Sequence, residues 1–322
     1  MPTRCPGIRH LVLALALLLI ATPVAAAQLP LPPVVARQIA ITDPQLGPLV
    51  FDALASGNPA AARDGRLVLF LHGFPESDET FRQILPVLAA AGYYAVAPDQ
   101  RGYSPGASPT DVADYAITNM ARDTLSMATA LGANRFHLVG HDWGGAVAWV
   151  TAAVAPARLS SVAVLSTPHP DALAEAIADP NGVQAGMLTY LKLVTIPGIQ
   201  NVMLALGPGV LALALEAMGC PDSYATLYAN HVGSPALLAT ALDWYLANPV
   251  PAPQLLGPIT VPTLYIWGSA DFAFSQEAAD DTAQFVHAPY QFVPLSGVNH
   301  FIPETATAEV ASLVLAQVLR TS

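Results

Sequence analysis

The chain is poor in cysteine and in basic residues, and both shortages exclude classes of function. Only two of its 322 residues are cysteines, and Cys5 lies in an N-terminal segment that we expect to be removed, so no internal disulfide can form. Cysteines and histidines do not cluster with the spacing of a zinc site, and the sequence implies no metal or cofactor. Lysine occurs once, as Lys192, which leaves no basic stripe for a phosphate backbone. Nucleic acid is therefore not an expected partner.

The N-terminal segment has the pattern of a cleavable signal peptide. Arg4 and Arg9 give it a positive start, and Leu11–Ile20 is an apolar run too short to span a bilayer comfortably. Ala25-Ala26-Ala27 matches a cleavage pattern before Gln28. We expect a secreted or periplasmic mature protein without stable membrane insertion; an uncleaved anchor is the alternative. The mature chain then has 10 basic and 23 acidic residues and a net charge of −13.

Strand-like and helix-like stretches alternate along the chain, which predicts an α/β fold with a mostly parallel sheet flanked by helices. The predicted strands are 37–42, 49–55, 66–71, 93–97, 136–139, 161–165, 260–267 and 290–294. The predicted helices outside the middle block are 80–91, 120–131, 146–155 and 304–319.

The middle block, from about residue 168 to 253, lacks β-branched strand runs and predicts an inserted helical cap. Its apolar run Val202–Met218 is interrupted by Gly207-Pro208-Gly209, which indicates two short helices rather than a membrane span. The predicted domains are a signal peptide and a core whose two parts flank the cap. Their bounds are 1–27 for the signal peptide, 28–168 and 254–322 for the core, and 169–253 for the cap.

Asp142 occupies the position at which hydrolases with a nucleophile elbow usually carry serine. It is the centre of Gly140-His141-Asp142-Trp143-Gly144-Gly145, between an apolar strand and an Ala-rich helix, with glycine two residues to either side. A helix N-terminus favours an anion there. A carboxylate nucleophile forms an ester that a second step must hydrolyse. The motif therefore predicts a hydrolase with an aspartate nucleophile.

Two further residues end strands in the order that such a mechanism requires. Asp271 follows strand 260–267, and His300 follows strand 290–294, so both lie where parallel sheets place their ligands. Asp271 can orient the imidazole of His300 while the ring deprotonates water. Each alone could be a turn former or a structural residue, but the three together favour a catalytic triad. The other strand-end histidines are interpreted as structural: His72, His141 and His169.

An oxyanion hole is predicted from two backbone N–H groups. The elbow supplies that of Trp143, and the loop after strand 66–71 supplies that of Phe74. Gly73 allows the loop to approach closely, and Pro75 fixes the following turn, with its peptide bond a candidate for the cis form.

The motifs HGFPE, DQRGYS and GHDWGG, with the late Asp271 and His300, resemble the epoxide hydrolase branch of the α/β-hydrolase superfamily. The resemblance covers nearly all of residues 37–320 and is weakest in the cap; HGFP alone is shared with many esterases and lyases. It implies the α/β-hydrolase fold with an inserted helical cap and no cofactor. It also implies that the substrates are a small apolar epoxide and water, converted to a vicinal diol through an ester on Asp142.

The resemblance further implies two cap tyrosines that protonate the opening epoxide. Tyr190, seven residues before Pro197-Gly198, resembles the first. Tyr245 resembles the second, although its segment Leu242-Asp243-Trp244-Tyr245 has Asp where the family usually has Asn. A neutral phenol, with a pKa of about 10, can donate a proton at neutral pH. Tyr224 and Tyr228 also lie in the cap, and any of these rings could simply be an amphipathic aromatic on a helix.

Two alternatives remain open at this point. Haloalkane dehalogenases are close relatives of epoxide hydrolases and use the same kind of triad, with an indole such as that of Trp143 binding the halide. They commonly carry Asn where this chain has Phe74, and they need no paired tyrosines. A secreted pseudo-enzyme that keeps the fold as a binding surface is the second alternative, and the intact Asp142, Asp271 and His300 argue against it.

Overall fold

Eight strands form a single sheet in the order β1-β2-β4-β3-β5-β6-β7-β8. They are β1 Val34–Asp43, β2 Gly47–Ser56, β3 Leu67–Leu71, β4 Tyr94–Pro98, β5 Phe136–His141, β6 Leu159–Leu165, β7 Thr263–Gly268 and β8 Tyr290–Leu295. β2 runs antiparallel to β1 and β4, and the remaining pairings are parallel. The computed structural model describes residues 30–250 and 256–322. The predicted signal peptide and the predicted boundary between residues 253 and 254 lie outside these residues.

The sheet is covered on both faces, as its continuous apolar strands require. In β3 every residue is buried, and alternate side chains enter different hydrophobic clusters: Leu69 joins one, and Val68 and Phe70 join the other. The helices on the core are α1 Leu85–Ala90, α2 Ile117–Ala130, α3 Trp143–Val154, α11 Gln276–Asp281, α12 Ile302–Thr305 and α13 Thr307–Thr321. The predicted mostly parallel sheet with flanking helices is confirmed.

Two predicted helices are wrong in extent. The stretch 80–91 is not one helix. Pro86 has no N–H to donate to the carbonyl of residue 82, and its ring would clash with that carbonyl if the helix continued through both residues. The chain instead forms a 3-10 turn, Asp78–Phe81, followed by α1. The stretch 304–319 is interrupted at Ala306, where φ is −129°. Ala306 is instead the N-cap of α13: its φ is not helical, and its carbonyl accepts the N–H of Val310 at 2.9 Å.

Helices joined by turns and loops make up the described part of the predicted cap, residues 169–250. They are α4 Pro170–Ala178, α5 Gln184–Met187, α6 Leu191–Val194, α7 Ile199–Ala205, α8 Pro208–Ala217, α9 Asp222–His231 and α10 Pro235–Ala247. The apolar run Val202–Met218 contributes to α7 and α8, two short helices separated at Gly207, as predicted. Within residues 30–250 and 256–322, each helix is too short or too polar to cross a membrane.

Arg101, in the loop after β4, joins the core to the cap. Its buried guanidinium bonds to Asp123 of α2 at 2.7 Å and to Asp43 at the end of β1 at 2.8 Å. Its backbone carbonyl accepts a hydrogen bond of 2.8 Å from the indole of Trp244 in α10. The hydroxyl of Thr240, in the same helix, donates to the carbonyl of Gly102. One buried cation therefore fixes the loop on which α10 is seated.

We expect Arg101→Met to destabilise the protein by about 3–5 kcal/mol, because it leaves the buried carboxylates of Asp43 and Asp123 without their cation. Thermal unfolding followed by circular dichroism measures the change. Arg66→Met is the matched control, because Arg66 pairs with Asp64 at the surface, where an ion pair contributes about 0–1 kcal/mol. Equal stability losses in the two variants would contradict the assigned role of Arg101.

Candidate active site

Asp142 lies in a sharp turn between β5 and α3, with φ of 49° and ψ of −119°. This conformation is strained for a residue with a side chain, and such strain persists only where the surroundings impose it. The turn also depends on Gly144, since a Cβ there would lie 2.1 Å from the carbonyl oxygen of Leu71. The strand, turn and helix together raise the Asp142 carboxylate above the edge of the sheet.

The Asp142 carboxylate is held between a backbone donor and a histidine. The N–H of Phe74 donates to Oδ1 at 2.9 Å, and Nε2 of His300 lies 3.6 Å from Oδ2. The Phe74 loop approaches so closely that a Cβ on Gly73 would lie 2.4 Å from that of Asp142. Burial raises the pKa of Asp142, but His300 and the Phe74 N–H outweigh burial and lower it below the usual value. Asp142 is therefore an anion at neutral pH, as a nucleophile must be.

Trp143, the second predicted oxyanion donor, is the first residue of α3. The first amides of a helix have no partner within the helix, so the N–H of Trp143 is free to point at an anion beside Asp142. The peptide bond between Phe74 and Pro75 is cis. The structure thus places both predicted donors next to the predicted nucleophile.

His300 is paired with Asp271 on the side away from Asp142. Its Nδ1 lies 3.1 Å from Oδ1 and 3.2 Å from Oδ2 of Asp271. Oδ1 also accepts the N–H groups of Ala273 at 2.8 Å and Phe274 at 3.1 Å. Burial lowers the pKa of His300, but the two carboxylates outweigh burial and raise it well above the usual value. The structure brings the three predicted triad residues together in one line of contacts.

A second buried histidine, His141, hydrogen-bonds to the backbone of His300. Its Nδ1 lies 2.8 Å from Oε1 of Glu76, and its Nε2 donates to the backbone carbonyl of His300 at 2.9 Å. Glu76 also accepts the N–H of Gly73 at 2.8 Å. Burial lowers the pKa of His141, but Glu76 more than compensates and raises it to about 9. This charged pair joins the Phe74 loop to the backbone that carries the triad histidine.

Ser166 also contacts the triad, and sequence analysis did not single it out. Its Oγ donates to Asp271 and lies 2.9 Å from Nδ1 of His300. The residue directly follows β6. The criterion that identified Asp271 and His300, a polar residue at the carboxyl end of a parallel strand, would have identified it too.

Tyr245 projects from α10 towards the nucleophile. Its ring packs edge-on against those of Phe74 and Trp143, with centroids 5.2 Å and 5.1 Å away. Burial, and then the charge of Asp142, raise the pKa of Tyr245 well above the usual value. Its phenol is therefore neutral and able to donate a proton.

Tyr190 faces the same cavity from the short helical segment between α5 and α6. Burial, then Asp142, raise its pKa, so it too is a neutral phenol. The segment is attached to the core through Gln184, whose side chain donates to the carbonyl of Ala273 and accepts the N–H of Ser275, both at 2.8 Å. The same loop carries Asp271, so Tyr190 and the triad acid share an anchor.

The other two cap tyrosines lie elsewhere. The hydroxyl of Tyr228 bonds to Glu304 and lies 2.8 Å from the hydroxyl of Thr80. The hydroxyl of Tyr224 accepts a hydrogen bond of 3.0 Å from Gln83. Of the four cap tyrosines considered, the structure brings Tyr190 and Tyr245 to Asp142.

These groups line a cavity of about 460 Å³. Its polar lining residues are Asp142, His300, Tyr190 and Tyr245. The rest of its wall is apolar and comes largely from α6, α7 and α8, with Phe272 and Phe301 from the core. The volume lies within the range of small-molecule pockets. Among the described residues, no group of three or more His, Cys, Asp or Glu could hold a metal ion.

Residues 66–307 match the protein family described as alpha/beta hydrolase fold. The chain belongs to this family. The predicted α/β-hydrolase fold is thereby confirmed.

Several relatives of this α/β hydrolase have epoxide hydrolase names. Epoxide hydrolase A of Mycobacterium tuberculosis is 29% identical over 300 residues, covering 81% of this chain and 91% of that protein. AB hydrolase superfamily protein YfhM of Bacillus subtilis is 29% identical over 267 residues, covering 80% and 91%. A solved structure described as a novel epoxide hydrolase from metagenomes of hot environments has a TM-score of 0.77 and 25% identity, covering 88% and 98%. The resemblance to epoxide hydrolases is confirmed.

Proposed function

We propose that this α/β hydrolase opens an apolar epoxide to a vicinal diol through an ester on Asp142. The observation that carries the proposal is the meeting of two neutral phenols, Tyr190 and Tyr245, with an ionised carboxylate and a histidine in one apolar cavity. An epoxide needs a nucleophile at carbon and a proton donor at oxygen at the same time. The cavity supplies both.

In the first step Asp142 attacks an epoxide carbon, and the C–O bond of the ring breaks. Oδ1 is held by the N–H of Phe74, so Oδ2 is the oxygen free to attack, and Oδ1 becomes the carbonyl oxygen of the ester. The ring oxygen develops negative charge as the bond breaks. Tyr190 and Tyr245 hydrogen-bond to it and supply the proton that makes it a hydroxyl.

In the second step His300 becomes a base because the first step has changed its surroundings. Esterification removes the negative charge of Asp142, one of the two carboxylates that raise the pKa of His300. The pKa of the ring then falls, so His300 releases its proton and the tyrosine that lost one in the first step regains it. Neutral Nε2 can then take a proton from water that attacks the ester carbonyl. Asp271 stabilises the imidazolium that forms. The N–H groups of Phe74 and Trp143 stabilise the oxyanion, whose collapse breaks the ester C–O bond. The leaving oxygen takes the hydroxyl proton of the intermediate, which completes the diol and restores the Asp142 carboxylate.

The cavity wall defines the class of substrate. Within residues 30–250 and 256–322, no charged side chain other than those of Asp142 and His300 lines it. A carboxylate or phosphate on the substrate would be buried there beside Asp142 without a free cation, because His300 already faces Asp142 and Asp271. Such burial costs several kcal/mol. We therefore propose that the substrate is an uncharged epoxide with a hydrocarbon substituent, which α6, α7 and α8 enclose.

The tyrosines and the relatives together favour an epoxide over a haloalkane. A halide leaves as an anion and needs no proton, so dehalogenation does not require two phenols as proton donors. Neutral, lipophilic epoxides and matched chloro- and bromoalkanes, incubated with the protein, test this proposal. Diol formation from epoxides, with little halide release, is expected. Halide release faster than diol formation would contradict the proposed function, as would failure to convert any substrate of either kind.

We also propose that the mature protein is secreted or periplasmic and begins near Gln28. The basic, apolar and small-residue pattern of the N-terminal segment supports this. N-terminal sequencing of protein recovered from the medium or periplasm is expected to read from Gln28. Exported protein that begins at Pro2 would contradict cleavage.

A further inference from the structure

Ser166 touches both residues of the acid–histidine pair and lies outside the substrate cavity. It is fully buried, its hydroxyl donates to Oδ2 of Asp271, and its Oγ lies 2.9 Å from Nδ1 of His300. It does not line the cavity that contains Asp142 and the tyrosines. Ser166 can therefore act through the triad but not on the substrate.

The hydrogen bonds around Asp271 decide the direction of the serine proton. An ionised carboxylate only accepts, so the hydroxyl proton of Ser166 must point to Asp271. An oxygen lone pair is then left facing the Nδ1–H of His300. That N–H meets three oxygens, one of Ser166 at 2.9 Å and two of Asp271 at 3.1 Å and 3.2 Å. Together they fix the tilt of the ring and favour the proton on Nδ1.

The backbone of Ser166 is held in a conformation that directs its side chain towards this pair. Its φ is 73°, in the left-handed region that residues with a side chain seldom adopt. The N–H of Ser166 donates to the carbonyl of Ile266 at 2.8 Å, and its carbonyl accepts the hydroxyl of buried Tyr265 at 2.9 Å. Glycine would relieve the strain. A serine here points to a use for the hydroxyl.

We propose that Ser166 is a positioning residue for the second step, which keeps Nδ1 of His300 protonated and Nε2 directed at the Asp142 ester. This role rests on the proposed function. In the first step His300 takes no proton from the substrate, so the hydroxyl matters little there. Loss of the hydroxyl should slow ester hydrolysis and leave ester formation close to the wild-type rate.

Ser166→Ala and Ser166→Gly test the proposal, because both remove the hydroxyl and only glycine fits the backbone without strain. Rapid mixing with a substrate epoxide, followed by mass spectrometry, measures ester formation and hydrolysis separately. Hydrolysis is expected to slow about 10- to 100-fold in both variants, as for loss of a hydrogen bond to a charged group. Ser161→Ala is the matched control: it removes another buried hydroxyl of the same chain segment, 2.8 Å from Nδ1 of His137, and should change neither rate.

Equal slowing of both steps would overturn the proposal, and so would a glycine variant with the wild-type hydrolysis rate. A second measurement needs no substrate: the proton resonance of the His300 Nδ1–H in the free protein. It should move in both Ser166 variants and stay in place in Ser161→Ala. An unmoved resonance would overturn the proposal even in a chain that hydrolyses no epoxide. A wild-type protein that forms no ester from any epoxide would instead overturn the proposed function.

Discussion

The His300→Gln variant is expected to accumulate an ester between the substrate and Asp142. Glutamine can fill much of the space of the imidazole, but it cannot take a proton from water, and loss of a general base slows a step by about 10²–10⁴-fold. Ring opening continues, because Asp142 and the two tyrosines remain. Intact-protein mass spectrometry should show an increase equal to the mass of the epoxide, and turnover should nearly cease.

Two companion measurements separate this mechanism from direct attack by water. Asp142→Ala should give no mass increase with the same epoxide. A single turnover of the wild type in heavy-oxygen water should leave the label in the peptide that contains Asp142 and little in the diol, because water attacks the ester carbonyl. A fully labelled first diol, with an unlabelled protein, would show that Asp142 acts as a base and not as the nucleophile.

Replacing both cavity tyrosines with phenylalanine is expected to nearly abolish ring opening. Each of Tyr190→Phe and Tyr245→Phe should slow ester formation, and the double variant should lose more than either, within the range of about 10²–10⁴-fold typical of general-acid catalysis. The burial that raises both phenol pKa values keeps the proton available at neutral pH. Single-turnover formation of the ester is the measurement.

Tyr224→Phe is the control for this experiment, because Tyr224 is a cap tyrosine whose hydroxyl bonds to Gln83 and which does not line the cavity. It should form the ester at the wild-type rate. If the double variant also did so, the proton would have to come from another donor and the case for an epoxide would weaken.

The sequence predicts the sheet and the triad positions well because both depend on local patterns. Fully apolar runs such as that of β3 identify buried strands, and the carboxyl ends of parallel strands lie along one edge of a sheet. Asp271 and His300, 29 residues apart, could therefore be expected to meet. Their nitrogen–oxygen contact of 3.1 Å agrees with that expectation.

The rest of the site depends on tertiary contacts that have no local signal. The charge on His141 follows from its 2.8 Å contact with Glu76, residues that lie 65 positions apart. Tyr190 lies in a segment attached to the core through the buried amide of Gln184, and its ring packs against that of Phe272. Nothing in the neighbouring sequence specifies these contacts. The side chain of Ser166 reaches Asp271 and His300 because the backbone φ of Ser166 is 73°. The presence of serine in the sequence does not indicate this conformation.

The cavity wall and the catalytic groups are built from different parts of the chain. The wall comes largely from α6, α7 and α8, whereas Asp142, Asp271 and His300 follow core strands and Tyr245 lies in α10. Substitutions at wall positions of α7 and α8 that are not buried, such as Met203 and Val210, can therefore change side-chain volume with little loss of folding stability. Descendants of this protein can diverge in the molecules they accept while inheriting the same chemistry, and directed evolution of its selectivity should begin with these two helices.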